Sequence, residues 1–299
     1  MWLLLGFVSA FFLGSYDVSK KISLQGNAVI PVLLTSTLIS SLILIQFFLL
    51  SRFQPALVDK TIFFVPLVDA RTHAFLILKS LIVLSSWLFG YFALKNLPIT
   101  LASPVHATQP IWIVLGAVLI FGEKLSGFQA AGVGITLISF FMLSFVGQKE
   151  GISFKTNKWF WFLVMATLTG AISGLYDKYL LRQFDHMAVQ VYYTFYQAFI
   201  MGLITLFLWY PTRKRSTPFQ FRWSIALISI FLVTADFVYF YALTLPDSLI
   251  SVLSTIRRSG VVVPFLFGVV VMHDKNAKLK LICMVGVLLG MFFLFLGSK

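Results

Sequence analysis

Charge is scarce in this chain: Asp, Glu, Lys and Arg make up 11% of its 299 residues, against about 25% in a soluble domain. With 59% hydrophobic residues and a mean hydropathy of +0.94, that shortage excludes a water-soluble globule and calls for a sheath of lipid. Acid is scarcer still, 10 Asp plus Glu against 23 Lys plus Arg. The resulting net charge of +13 is read as loops facing lipid headgroups, with no nucleic-acid partner. The single cysteine, Cys283, excludes an internal disulfide and a zinc-cysteine cluster; no metal and no cofactor are expected. No Gly-x-x-x-x-Gly-Lys-Ser/Thr occurs, so nothing here cradles and hydrolyses ATP.

What is present is one apolar run after another. A helix needs about 20 residues to cross roughly 30 Å of hydrocarbon. Ten stretches qualify as spans: Trp2–Leu24, Ala28–Leu50, His73–Leu94, Pro98–Phe121, Gly127–Val146, Trp159–Leu181, Met187–Tyr210, Trp223–Leu243, Pro246–Met272 and Leu279–Leu296. The first has neither a positive n-region nor a small-residue cleavage site, so it reads as a retained span. The longest gap, Ser51–Thr72, holds the patch Ile62–Val68, too short to cross and read as interfacial. The expected fold is an all-α integral membrane bundle.

The two halves repeat. Phe12-Leu13-Gly14-Ser15-Tyr16-Asp17 returns as Ile172-Ser173-Gly174-Leu175-Tyr176-Asp177, and Ala93-Leu94 before Pro98 returns as Ala242-Leu243 before Pro246. Gly132-Val133 is echoed by Gly286-Val287. Five spans per repeat is an odd number, so the second repeat enters from the opposite face: two inverted five-helix repeats, residues 1–147 and 159–299, joined by a loop at 148–158. This arrangement places a transport site at the midplane between repeats.

These motifs resemble the drug/metabolite transporter superfamily, and within it EamA-type transporters, over nearly the whole chain. The resemblance rests on the Gly-x-Tyr-Asp ends of the first and sixth spans and the Ala-Leu-…-Pro lead-in to the fourth and ninth. Phe121-Gly122-Glu123-Lys124-Leu125 is similar to the family's Gly-Glu-x-Leu stop, whereas His273-Asp274 stands where the second half would carry its Glu. The resemblance implies a ten-helix bundle working by alternating access, with both termini in the cytoplasm. Basic residues point the other way. Thirteen (Lys20, Lys21, Lys95, Lys149, Lys155, Lys158, Arg213, Lys214, Arg215, Arg222, Lys275, Lys278, Lys280) follow odd-numbered spans and seven (Arg52, Lys60, Arg71, Lys124, Lys178, Arg182, Lys299) the even side. The positive-inside rule then puts both termini outside. The bias is modest, and the family orientation is preferred.

A charge at the bilayer centre costs about 2.5–3.5 kcal/mol. Arg257 and Arg258, eleven and twelve residues past Pro246, lie about 16–18 Å along the ninth span, at the midplane. Neighbours on a helix point about 100° apart, so one arginine faces a cavity while the other pairs within the bundle, with Asp236 as its partner. The guanidinium fork suits phosphate and carboxylate. The doublet also resembles the basic pair of the nucleotide-sugar and triose-phosphate translocator branch, which implies phosphate recognition. Small neighbours Ser254, Ser259 and Gly260 would let a ligand approach the backbone.

His106 and Gln109 share a face of the fourth span, as substrate or proton-linked contacts or as a packing hydrogen bond. Tyr193, Tyr196 and Gln197 follow i, i+3, i+4 spacing in the seventh and would line a cavity or simply pack. Trp87, Tyr239 and Tyr241 are weaker candidates of the same kind. Asp17 and Asp177 sit near the ends of the first and sixth spans as paired gates, with Lys95 and Lys178 as their basic neighbours, or as helix-end acids that snorkel to water beside Lys20, Lys21 or Lys178. Lys79 is read as snorkelling. Gly286-x-x-x-Gly290, and more loosely Gly127-x-x-x-Ala131, permit close helix contact inside the chain or in a homodimer.

The leading expectation is a secondary transporter of a small anionic metabolite, phosphorylated or nucleotide-linked, in a bacterial inner membrane. The alternative is an exporter of amino acids, sugars or amphipathic drugs with structural arginines; a receptor or scaffold would not explain midplane charge. An enzyme is not expected: an intramembrane aspartyl protease needs two carboxylates sharing a proton, and inverted repeats put Asp17 and Asp177 near opposite faces.

Overall fold

The apolar runs fold into helices, and the helices pack in pairs. The computed structural model describes residues 1–59, 61–113, 115, 126–149, 151–245 and 250–297. Its elements are α1 (Trp2–Leu24), α2 (Val29–Phe53), α3 (Ala70–Asn96), α4 (Ile99–Ala107), α5 (Gly127–Gln148), α6 (Lys158–Leu181), α7 (His186–Ile204), α8 (Trp223–Thr244), α9 (Ile250–Arg258), α10 (Val262–Val270) and α11 (Ala277–Gly297). Eight helices among the described residues are long and apolar enough to cross a membrane. They are α1, α2, α3, α5, α6, α8, α11 and α7, the last with the π-helical turn Thr205–Trp209 that continues it. No β-strand occurs among the described residues. Large side chains such as Phe7, Phe141 and Phe207 are exposed on the outside of the bundle, where lipid would cover them.

The two remaining expected spans depart from a single long helix. The fourth is helical as α4, turns at Thr108 and is helical again at 109–113; Phe121–Leu125 lie outside the described residues. Pro110 has no N–H to offer the His106 carbonyl, and a proline ring crowds the residue four before it, so the chain breaks its ladder there. The ninth is divided into α9 and α10 by the 3-10 turn Ser259–Val261. Pro264 acts on Gly260 in the same way. Pro246 lies outside the described residues.

Helix ends are set by local chemistry. Asn157 Oδ1 accepts from the N–H of Trp159 (2.9 Å) and Phe160 (3.3 Å), and Asp185 does the same at α7. Ser126 and Gln129 form a capping box at α5. Asp274 caps across the chain: its Oδ2 accepts from the Thr100 N–H (3.2 Å) and hydroxyl (2.7 Å) at the start of α4. Lys280, fully buried, donates to the same Thr100 Oγ1 at 3.0 Å.

α1 packs along α8, α3 along α6, α5 along α11 and α2 along α7. The α5–α11 contact is close because it is lined by glycine. A Cβ on Gly132 would stand 2.7 Å from the Gly290 carbonyl, while Gly286 and Gly290 abut Ser139 and Thr136. The Gly286-x-x-x-Gly290 motif is therefore engaged within the chain. Gly260 lies against the Ala10 backbone and Gly14 against Gly260, so the 3-10 turn presses directly on α1. That close approach, and not a ligand, is what the small residue at 260 serves. The Ser259 hydroxyl is turned back onto the Ile256 carbonyl at 2.6 Å. The expected interfacial patch folds onto the bundle: Phe63 stacks on Phe47 and Phe237, and Val65 is buried.

Candidate functional site

Between the α1–α8 pair and the α3–α6 pair lies a cavity of about 160 Å³, lined also by the interrupted fourth and ninth helices. On α3 its lining runs from Lys79 to Tyr91, about 18 Å along the helix axis. α1 contributes Leu13, Tyr16, Asp17 and Lys20, and α8 contributes Leu232, Asp236, Tyr239 and Phe240. Opposite them, α6 offers Ala166, Gly170, Ser173, Gly174 and Asp177. His106, Gln109 and Pro110 come from the fourth helix, and Arg257 and Arg258 from the end of α9.

Four cations and three carboxylates line this cavity among the described residues. Three pairs form. Lys20 Nζ donates to Asp17 Oδ1 at 2.6 Å, Lys79 pairs with Asp177, and Arg257 pairs with Asp236. Rings shield each cation: Lys20 lies 4.5 Å from the Tyr16 ring centroid, Lys79 4.6 Å from that of Tyr193, and Arg257 4.3 Å from that of Tyr239. The Tyr193 hydroxyl donates to the second Asp236 oxygen at 2.7 Å, so this carboxylate is held from two sides.

The fourth cation is left over. Arg258 has no hydrogen-bond or ion-pair partner among the described residues. Three more polar groups that line the cavity are unmatched, and the first is the Tyr16 hydroxyl, buried on α1 without a partner. His106 Nε2 is buried without a partner. The Gln109 amide is 3% exposed and makes no hydrogen bond among the described residues. Arg258, His106 and Gln109 sit on the two interrupted helices and the unmatched Tyr16 hydroxyl on α1, while carboxylates on the continuous helices hold the other three cations. No group of three or more His, Cys, Asp or Glu that would hold a metal occurs among the described residues.

Residues 1–145 match the model of the EamA-like transporter family. The N-terminal half is EamA-like. With eight helices of membrane-crossing length and composition among the described residues, the chain is a multi-pass integral membrane protein. A solved structure described as "Crystal structure of protein" superposes on the chain with a TM-score of 0.64 at 15% identity. It covers 97% of this chain and 98% of its own, so the fold is shared end to end. No curated protein sequence matches.

Within this fold the sequence candidates divide. Arg257, Arg258, His106, Gln109, Tyr193, Asp17, Asp177 and Asp236 meet at the cavity, as do Trp87 and Tyr239. Tyr196 does not: its hydroxyl is 2.8 Å from His73 Nδ1. Gln197 lines a small adjoining pocket of about 10 Å³ with Gln190, Ser36 and Thr194, which shares Tyr193 and Asp236 with the cavity wall. Tyr241 stacks on Phe237. The Ser254 and Lys178 side chains lie outside the described residues.

Two basic residues correct the sequence reading. Lys95 donates to Thr217 Oγ1 at 2.8 Å and is not the counter-charge of Asp17; Lys20, one turn along the same helix, takes that place. Lys79 does not snorkel, since it is 2% exposed and paired with Asp177. α3 begins at Ala70, not His73, which sets Lys79 nine residues into the helix, about 13 Å deep and beyond the reach of the interface. Asp17 and Asp177, paired with different lysines, share no proton and form no aspartyl dyad.

Proposed function

We propose that this protein is a secondary transporter that moves a small anionic metabolite by alternating access. The observation that carries the reading is Arg258: a guanidinium without a partner among the described residues, in a cavity whose other described charges cancel. A lone charge at the midplane is costly, and an anionic substrate supplies the missing partner. Arg258 holds the anion, with His106 and Gln109 as further contacts and Arg257 as a positioning residue fixed by Asp236.

Two inverted five-helix repeats, 1–147 and 159–299, are the frame of this reading. Pairing supports it: exchanging each span for the one five places on turns the α1–α8 pair into the α6–α3 pair, and leaves α5–α11 and α2–α7 as they are. The fourth and ninth spans, equivalent under that exchange, are the two that break. The Asp17–Lys20 and Asp177–Lys79 pairs, on corresponding motifs, then stand at opposite ends of the cavity as gates. Exchange or an ion gradient drives the cycle, and a bacterial inner membrane is the proposed location.

The test is thermal stabilisation of the purified protein by a panel of anions, neutral sugars, amino acids and cationic drugs, on wild type and Arg258→Ala. Saturating ligand at about 100 times its dissociation constant stabilises by about 2.7 kcal/mol. Anions are expected to stabilise wild type and not the variant. Equal stabilisation of both by neutral or cationic compounds would overturn the reading in favour of an exporter with structural arginines.

A further inference from the structure

We infer that the substrate is a flat monocarboxylate: one negative charge, no ammonium group, and a planar body lying on the bare face of α6. The inference rests on the transporter reading and narrows its ligand through charge, size and shape.

Charge comes first. Among the described residues, three ion pairs consume all three carboxylates and three of the four cations, leaving Arg258. A monoanion brings the loaded cavity to neutrality, whereas a phosphate monoester, with a second charge near neutral pH, leaves an excess negative charge in a low-dielectric site. A zwitterion fares no better, because its ammonium needs an acceptor. Asp17, Asp177 and Asp236 each already hold a cation.

Size agrees. The cavity's 160 Å³ falls below the range of about 300–1,000 Å³ typical of drug-sized ligands, and nucleotide-linked compounds are larger still.

Shape is set by α6. Ala166, Gly170 and Gly174 recur every fourth residue and line the cavity, so the wall there is nearly bare backbone. Gln109 marks it as a place for a ligand: the amide, buried and unmatched, stands where a Cβ on Gly170 would be 3.2 Å from its Oε1. A carboxylate in the Arg258 fork, with the His106 ring nitrogen nearby, leaves the body of the molecule to lie along this wall, its edge toward the Gln109 amide.

Four probes separate these terms: benzoate, cyclohexanecarboxylate, phenyl phosphate and phenylalanine, tested for thermal stabilisation of the full chain. Benzoate is expected to stabilise, and cyclohexanecarboxylate to bind about tenfold or more weakly, as misfit in a tight pocket costs. Phenyl phosphate and phenylalanine are expected to give no shift. Gly174→Val fills the wall and should abolish the benzoate shift while acetate, which needs only Arg258, keeps its effect. Gly174→Ala checks the fold, since a Cβ there meets only Ile113 at 3.6 Å. Phenyl phosphate matching benzoate through Arg258 would sink the monoanion inference and leave the anion transporter standing. Cyclohexanecarboxylate matching benzoate, or a benzoate shift surviving in Gly174→Val, would remove the flat wall. If no anion stabilises wild type, both readings fall.

Discussion

Arg257 and Arg258 are consecutive residues with the same side chain at the same depth, and they occupy opposite conditions. Arg257 is locked to Asp236, which is also held by Tyr193, and lies over the Tyr239 ring. Arg258, turned about 100° further around α9, meets no partner among the described residues. One helix step separates a paired charge from one with no partner among the described residues. Composition and depth do not decide what a buried arginine does; the direction it points, and what is already there, does.

The largest effect is expected where the partnered member is removed. Arg257→Ala strands Asp236, and breaking a buried ion pair costs about 3–5 kcal/mol. Denaturation of the purified protein should show a loss of that size, with much of it recovered when Asp236→Asn is added. Arg258→Ala should cost far less than Arg257→Ala, because no carboxylate is orphaned by the change, while abolishing the anion-induced shift. Equal losses from the two substitutions would break the comparison.

A smaller effect tests how Arg258 is placed. The 3-10 turn that ends α9 is pressed on α1 through Gly260 and the Ala10 backbone. Gly260→Ala sets a methyl against backbone that cannot move aside, and overpacking of this kind costs about 1–3 kcal/mol. It should also weaken the anion response, since the turn follows Arg258 directly. A variant as stable as wild type with an unchanged response would separate the turn from the site.

Most of the helical framework was legible because hydropathy needs only composition and length. α1 and α6 end where the apolar runs end, and α8 and α11 agree to within two residues. What escaped was anything that depends on a single atom or on a neighbour far away in sequence. The break in the ninth span follows from the missing N–H of Pro264, a signal present in the sequence but invisible to a hydropathy window. Lys79 was misjudged because α3 starts three residues earlier than its apolar run suggests, adding about 4–5 Å of depth. Lys20 lies within a turn of Asp17, so its i, i+3 spacing makes the pair readable, whereas Lys95 is suggested only by a shared membrane face. That Arg258 ends without a partner was not readable at all. It depends on three carboxylates, brought from α1, α6 and α8, each choosing another cation.

The smallest expected effect belongs to a partnered charge outside the membrane. Asp69 caps α3: the Thr72 hydroxyl donates to its carboxylate, as does the Thr72 N–H at 3.0 Å. These bonds favour the ionised form and hold the Asp69 carboxyl below its usual range. A carboxyl whose pKa is depressed by folding contributes stability above its unfolded value of about 3.9 and loses it as pH falls toward the lower folded value. Asp69→Asn keeps an oxygen for the cap but removes the titration. The thermal midpoint of wild type should exceed that of the variant slightly near neutral pH, and the gap should close below about pH 4. A gap that stays constant with pH would mean the Asp69 charge does nothing that a neutral cap would not. The effect is small because water competes for every bond Asp69 makes, the condition Arg257 and Asp236 escape by being buried together.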